Sequence, residues 1–506
     1  MTQPTSRSLT PAALLAGAAT LALVATAVAQ PAPLSPGPEF RGSGQPAPPG
    51  SPRADVAPLP GTQIGAPRRA SAAQARRSRQ PAKEIVQRPT QAPTVSPALT
   101  PDVQAPVVGI PDPLRPLALP RPRRPDRDDP YGQLGIRSGG LMFYPAIQQD
   151  FGYDTNPNRL PSSPEGSWVS RTEGALRLQS DWLVHELTAD LRGAYSVYPD
   201  VPSADRPEGS GRMALRLDAT RDTSINLEGR FLVETQRPGS PELNAAVGER
   251  PLYGTYGASA GVTQRFNRLE LGLKGTIDHA FFEDARLANG TILSQADREF
   301  TQYGVQARAA YELTPGVKPF VEGLADTREY DQTIDSAGFR RSSKAIAARL
   351  GSTFELTRLI TGEVSAGYQR RQYDDPRLRD LTGPIFDAAL VWAVTPLTTV
   401  RARAQTTLDE STIPNASGAV TSRATLEVQH DLRRNLRLTG AITAGQTNYR
   451  GISLREDAVG ASLKLDYRLT RWLALRASVA HERLKSSAPA SDYEATTYLV
   501  GLRYQP

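Results

Sequence analysis

The sequence predicts an all-β fold: an antiparallel, up-and-down transmembrane β-barrel of about 16–18 strands, preceded by a disordered proline-rich N-terminal arm. Three observations predict it. From about residue 138 onward, apolar and charged residues alternate with a period of two, as in half-buried strands. Short turns alternate with longer polar loops, which is the asymmetry of outer-membrane barrels. A hairpin unit recurs at residues 311–331 and 354–374, opening on an aromatic residue followed by Glu-Leu-Thr and ending on Tyr-Asp.

Residues 1–29 are predicted to be a secretory signal peptide. Arg7 supplies the positive charge, residues 12–24 the apolar segment, and Ala27-Val28-Ala29 the cleavage site before Gln30. A retained membrane anchor is the alternative, but the apolar segment is short and rich in alanine rather than leucine. The chain has no cysteine, which suits the oxidising periplasm and excludes cysteine-based zinc, iron–sulfur and thiol chemistry.

Residues 30–137 are predicted to form a disordered or polyproline-like arm in the periplasm. Residues 31–130 hold 24 of the 44 prolines, and proline lacks a backbone donor and fixes φ. The same residues carry 14 Lys and Arg against 8 Asp and Glu, so the net positive charge lies mainly in the arm. Two interpretations stay open: a solvated spacer, or attraction to peptidoglycan, another anionic envelope polymer or lipid head groups. Nucleic-acid binding is not predicted, because it would need a basic folded surface or interleaved aromatic residues.

Residues 138–506 are predicted to form the barrel in the outer membrane. Leu269, Leu271 and Leu273, for example, alternate with Glu270 and Lys274. Segments of up to about fifteen residues exceed the 9–11 that a tilted strand needs to cross a bilayer, and backbone groups in lipid must all be paired, so the sheet must close. Counting from Leu141 gives eighteen strands, with sixteen as the nearest alternative. An even number places both termini at the short-turn end, which would be the periplasmic end.

A barrel of 16–18 strands leaves an aqueous lumen, and its charged face is the candidate functional surface. The candidate selectivity residues share the parity that points inward, and they are Arg216, Arg230, Glu270, Lys274, Asp278, Arg401, Arg403, Lys464, Asp466, Arg468 and Arg476. Mixed signs predict weak selectivity, with a mild preference for anions from the arginines near the C-terminus. The alternative is that these charges pair across strands and only hydrate the wall.

Aromatic residues are predicted to form two girdles at the membrane interfaces. Those expected beside the short turns are Tyr311, Phe354, Trp392, Tyr467 and Trp472. Those expected where strands meet the long loops include Tyr330, Tyr373 and Tyr449.

Three segments carry a resemblance to a known family. They are the opening of the barrel at residues 141–156, the Arg-x-Tyr-Asp strand ends at Tyr330-Asp331 and Tyr373-Asp374, and the closing residues 498–504. In these the chain resembles the β-barrel porin 2 family of Gram-negative bacteria. The resemblance implies an outer-membrane location and a channel or channel-like role with no established substrate. Outer-membrane strands usually end on an aromatic residue read by the barrel-insertion machinery, whereas here Gln505-Pro506 follow Tyr504.

Catalytic, metal and cofactor sites are not predicted. The four histidines, His185, His279, His430 and His481, are isolated from one another, whereas a metal site needs converging ligands. The first hypothesis is therefore a non-enzymatic, passive or weakly selective pore for small hydrophilic solutes. The alternative is a non-conducting accessory barrel that supports polysaccharide export or anchors the envelope through the arm. The expected partners are outer-membrane lipid, lipopolysaccharide and the barrel-insertion machinery.

Overall fold

A computed structural model describes residues 129–236, 241–242, 250–287, 289–357, 359–489 and 491–506. The predicted signal peptide and the arm up to residue 128 lie outside these ranges. The described residues contain eighteen long antiparallel strands, each dominated by the alternating pattern. They are β1 Leu141–Asp154, β2 Ser167–Ser180, β3 Glu186–Val197, β4 Arg206–Asp218, β5 Thr223–Thr235, β6 Leu252–Phe266, β7 Leu269–Phe282, β8 Phe300–Tyr311, β9 Val317–Tyr330, β10 Ser343–Thr357, β11 Ile360–Tyr373, β12 Leu381–Thr395, β13 Thr398–Asp409, β14 Gly418–Arg433, β15 Leu436–Arg450, β16 Arg455–Arg468, β17 Leu473–Ser486 and β18 Tyr493–Tyr504.

The sheet closes into a barrel. Each strand pairs with its neighbours in sequence, and β1 pairs on one side with β2 and on the other with β18. The closing ladder runs from Ile147 opposite Tyr504 to Asp154 opposite Thr497. This confirms the predicted closed antiparallel barrel and the count of eighteen.

The two ends of the barrel differ in their connections, as the turn pattern predicts. At one end the connections have two to five residues, whereas at the other they reach seventeen. Two short turns show why their residues are suited to them. Asn267 adopts a positive φ of 55°, which asparagine tolerates. Gly316 has a φ of 87°, and a Cβ there would lie 2.5 Å from the carbonyl oxygen of Glu355.

The chain enters and leaves the barrel at the short-turn end, beside the closing ladder. Because β18 ends opposite Ile147, the lower edge of β1 is free to pair with a short strand, Ile136–Ser138, which lies opposite Leu141–Phe143. The Gln133 side chain donates to the carbonyl oxygens of Pro145 at 2.7 Å and Pro506 at 3.3 Å. Gln505 donates its N–H to Trp472 at 2.7 Å, so the two residues beyond Tyr504 complete the seam.

The long-loop end carries the smaller elements and most of the buried clusters. Two 3₁₀ turns, Pro202–Ala204 and Ala296–Arg298, and a two-residue hairpin pair, Ala285–Arg286 with Ile292–Leu293, lie in the long connections. One apolar cluster joins Leu381, Ile385 and Leu408. Within the described ranges, no helix has the length and hydropathy of a membrane span.

Candidate functional site: the charged interior of the barrel

The two faces of the sheet have opposite chemistry. Phe151, Trp168 and Leu350 are 63%, 65% and 69% exposed, whereas Asp150 and Arg171, adjacent in sequence or one strand away, are 4% and 9% exposed. The apolar face therefore points to the medium around the barrel, as required by lipid.

The charged face is the concave interior. Arg308 on β8 reaches Glu363 on β11 at 2.9 Å, and Arg230 on β5 reaches Asp278 on β7 at 2.6 Å. Side chains from non-neighbouring strands converge in this way only on the inner side of a closed sheet. All eleven candidate selectivity residues share this face by strand pairing.

The structure brings some of these candidates together and keeps others apart. Arg230 meets Asp278, and Asp466 meets both Arg468 and Arg476. Arg216 instead pairs with Asp218 at 2.8 Å on its own strand. Glu270 lies 3.5 Å from Arg265 and 3.9 Å from Lys318, two partners that the sequence analysis did not assign. A role of these residues in selectivity stays a prediction.

From β5 to β11 the wall is rich in carboxylates, and its arginines each bridge two of them. Arg230 contacts Glu228 at 3.3 Å as well as Asp278. Arg308 lies between Glu363 at 2.9 Å and Glu322 at 3.8 Å. We call this surface the carboxylate-rich wall.

A glycine makes room for the first of these bridges. Gly257 on β6 lies directly between Arg230 and Asp278 in the strand pairing. A Cβ on it would lie 2.0 Å from a carboxylate oxygen of Asp278. The absence of a side chain thus lets the two charges meet across the intervening strand.

From β13 through the seam to β2 the pattern is inverted, and single carboxylates are shared between arginines. Asp466 contacts Arg476 at 2.8 Å and Arg468 at 3.9 Å. Glu173 lies 3.4 Å from Arg171 and 3.7 Å from Arg503. We call this surface the arginine-rich wall.

Neutral amides supply further partners on the arginine-rich wall. Arg476 donates to Gln148 at 2.8 Å, and Arg403 donates to Gln405 at 3.0 Å. Arg401, by contrast, pairs with Glu427 at 2.6 Å. An amide satisfies a guanidinium donor without cancelling its charge, so positive charge is retained along this wall.

The rim at the long-loop end holds a cluster that the sequence analysis missed. Glu410 lies 3.2 Å from Arg328 and 3.1 Å from Arg371, and it accepts hydrogen bonds from the hydroxyls of Tyr330, at 2.9 Å, and Ser343. Burial opposes ionisation of Glu410, but the charges of Arg328 and Arg371 outweigh it and lower the pKa of this carboxyl. We call these residues the rim cluster.

The signal for the rim cluster was present in the repeated Arg-x-Tyr-Asp strand end. Residues two apart in a strand share a face, so Arg328 and Tyr330 point the same way, and the charge of the arginine makes that face the inner one.

The same reasoning corrects three expected interface aromatics. Tyr330 and Tyr449 are buried on the inner face, 9% and 4% exposed, and Tyr373 lies half-buried there with its hydroxyl on the carbonyl of Ser417. They therefore do not belong to an outer girdle. Tyr311, Trp392 and Trp472 are exposed near the short turns, and Phe354 and Tyr467 lie partly exposed on the outer face.

Above the rim cluster, a buried arginine holds two loops together. Arg341, in the loop between β9 and β10, pairs with Asp335 and donates to the carbonyl oxygens of Ser411, Thr412, Ile413 and Ala416. Residues 410–417, which connect β13 and β14, are thereby fixed at the mouth of the barrel.

Metal and catalytic chemistry find little support in the described part of the chain. No three His, Cys, Asp or Glu side chains there are grouped as a metal site requires. His279, His430 and His481 lie on the outer face and each contacts a threonine hydroxyl. His185 accepts a hydrogen bond from the backbone of Asp218 at a short turn.

Comparisons with known proteins agree with this architecture. The model of the family described as "Putative beta-barrel porin 2" matches residues 129–506. No protein with a curated description matches the sequence significantly.

Three solved structures are similar in fold. The unliganded ferric citrate transporter FecA is 11% identical, with 72% of this chain and 64% of that chain covered and a TM-score of 0.39. The siderophore receptor PiuA from Acinetobacter baumannii is 9% identical, with coverage of 74% and 82% and a TM-score of 0.41. OccK2 from Pseudomonas aeruginosa is 12% identical, with coverage of 72% and 98% and a TM-score of 0.37. This chain thus spans less than two thirds of FecA, and likeness at this level says nothing about what it binds.

Proposed function

The chain belongs to the β-barrel porin 2 family, a porin-like outer-membrane barrel, and from that premise we propose that it is a passive pore for small hydrophilic solutes with a weak preference for anions. The observation that carries the proposal is the continuous charged interior of an eighteen-strand barrel. At this strand number the sheet encloses an aqueous channel rather than a packed core, and ionic side chains along the wall keep that channel hydrated.

The anion preference follows from the difference between the walls. On the carboxylate-rich wall the charges are largely cancelled by pairing. On the arginine-rich wall, Asp466 and Glu173 each serve two arginines. Excess positive potential along a narrow, low-dielectric path raises the local concentration of anions.

Conductance in planar bilayers tests the pore. The purified barrel should give stepwise current increments, and a KCl gradient should give a reversal potential displaced toward chloride. A barrel that shifts in electrophoretic mobility on heating, and is therefore folded, yet passes no current would contradict the proposal.

Anchoring through the arm is a second candidate, supported by contacts at the short-turn end. Arg468 pairs with Asp129 at 3.3 Å, and Arg471 donates to the carbonyl of Pro130 at 2.9 Å. These contacts tie the start of the barrel domain to the end that we assign to the periplasm, so residues 31–128 would extend from there toward peptidoglycan.

Deleting residues 31–128 separates the two candidates. If the arm anchors the envelope, cells carrying the deletion should become sensitive to detergent while single-channel conductance stays at the level of the full chain. Unchanged detergent sensitivity would leave anchoring without support.

A further inference from the structure

The outer face of β14–β17 contains a groove in the apolar belt. It has a volume of about 410 Å³ and is lined by Leu426, Val428, Ile442, Leu463 and Val479, among others. Gly440 and Ala461 form part of its surface, and their small size makes the wall concave. A Cβ on Gly440 would lie 3.8 Å from the side chain of Leu463, so the groove has room there.

Basic residues follow the groove toward the long-loop end. On β17 the outward positions run Val479, His481, Arg483 and Lys485, so the groove gives way to two cations within six residues. Both Arg483 and Lys485 are exposed, and Arg455 on β16 is exposed beside them. Arg455 pairs with Asp457, which also lies opposite Lys485 in the strand pairing.

This sector also interrupts the aromatic belt of the long-loop end. On other strands the outer face near this end carries Tyr153, Trp168, Tyr195 and Tyr303, all exposed. The corresponding outer positions of β14–β17 hold no Trp, Tyr or Phe, and they include Ser422, Gln446 and Asn448. Aromatic rings suit the general lipid interface, so their replacement here by hydrogen-bonding and cationic groups points to a particular headgroup.

We propose that β14–β17 form a binding site for a phosphorylated, multiply acylated lipid, the lipid A part of lipopolysaccharide. One acyl chain would lie in the groove, and a phosphate would lie against Arg483 and Lys485, whose cationic side chains match its charge. The site depends on the assignment of the long loops to the outer surface, but it does not depend on conduction.

Charge disfavours a second copy of the chain as the occupant. In a twofold contact the same patch of both copies meets, so Arg483 and Lys485 would approach their own counterparts. The repulsion between these cations favours an anionic lipid over a homodimer.

Titration of lipid A into the full barrel in mild detergent, followed by native mass spectrometry, tests the site. The double variant Arg483→Ser/Lys485→Ser should bind lipid A about 25-fold more weakly, at roughly fivefold for each cation near the headgroup. Gly440→Leu should also weaken binding, because it fills the groove. The matched control Lys344→Ser/Arg370→Ser removes two exposed, outward cations at the same end of β10 and β11 and should bind like the parent.

Four results would overturn the proposal: parental affinity in both test variants, equal loss in the control, equal affinity of the parent for phosphatidylglycerol, or a cross-linked dimer that Gly440→Leu abolishes. Heat-dependent electrophoretic mobility confirms that each variant is folded. Unaltered bilayer conductance in Arg483→Ser/Lys485→Ser separates loss of the lipid site from loss of the pore.

Discussion

The carboxylate-rich and arginine-rich walls use the same side chains in inverted stoichiometry. On the first wall Arg230 and Arg308 each join two carboxylates, whereas on the second Asp466 and Glu173 each join two arginines. Pairing therefore does not by itself decide whether a lumen charge is silent. What matters is how many opposite charges share each group, and the two walls should respond to substitution in different ways.

The largest effect is expected from breaking a bridge on the carboxylate-rich wall. Arg230→Met leaves Asp278, whose side chain is 2% exposed, without this partner. Because an uncompensated buried charge is costly, the variant should lose about 3 kcal/mol of unfolding free energy. Urea titration followed by tryptophan fluorescence measures it.

The control for this substitution is Arg370→Met on the outer face. Arg370 and its partner Asp380 are 52% and 37% exposed, so their pair should contribute less than about 1 kcal/mol. Equal losses in the two variants would show that burial does not distinguish these pairs.

The rim cluster, next to the carboxylate-rich wall, should make stability depend on acid. Glu410→Gln removes a carboxylate from between Arg328 and Arg371 and should cost about 2 kcal/mol at pH 7. Since the folded-state pKa of Glu410 is lowered, its contribution is present above the ordinary pKa of a glutamate and is lost as the pH falls through the folded-state value.

The parent should therefore lose stability between pH 5 and pH 3 in steps that Glu410→Gln lacks. Thermal unfolding over this pH range measures the difference. Parallel pH curves for the two proteins would contradict the assignment.

On the arginine-rich wall the expected effect is on selectivity. Asp466→Asn should raise, and Arg476→Gln should lower, the chloride-to-potassium permeability ratio, each by roughly twofold, because they change the net charge of one wall in opposite directions. Reversal potentials in a KCl gradient measure the ratio. Shifts of the same sign would contradict the account of this wall.

The smallest effect is expected from salt alone. The Debye length falls from about 10 Å at 0.1 M to about 3 Å at 1 M, so the anion preference should shrink toward unity across that range. A preference that persists unchanged in 1 M KCl would indicate a steric rather than an electrostatic origin.

Much of this architecture follows from the sequence by itself. A period of two with one charged face determines strands, and the impossibility of leaving backbone groups unpaired in lipid determines closure. Counting turns from Leu141 gave eighteen strands because each hairpin is local in sequence. The inward parity of residues such as Arg230, Asp278 and Arg476 follows from the same alternation.

Only the tertiary structure decided which charges meet. Arg308 and Glu363 lie three strands apart, and Asp129 and Arg468 lie at opposite ends of the described chain, so no local pattern could pair them. Tyr330 and Tyr373 were assigned to the membrane interface from their position at strand ends, although the alternation with Arg328 and Arg371 already placed them inside. What drew them together was Glu410, contributed by a loop that reaches them only when the barrel closes.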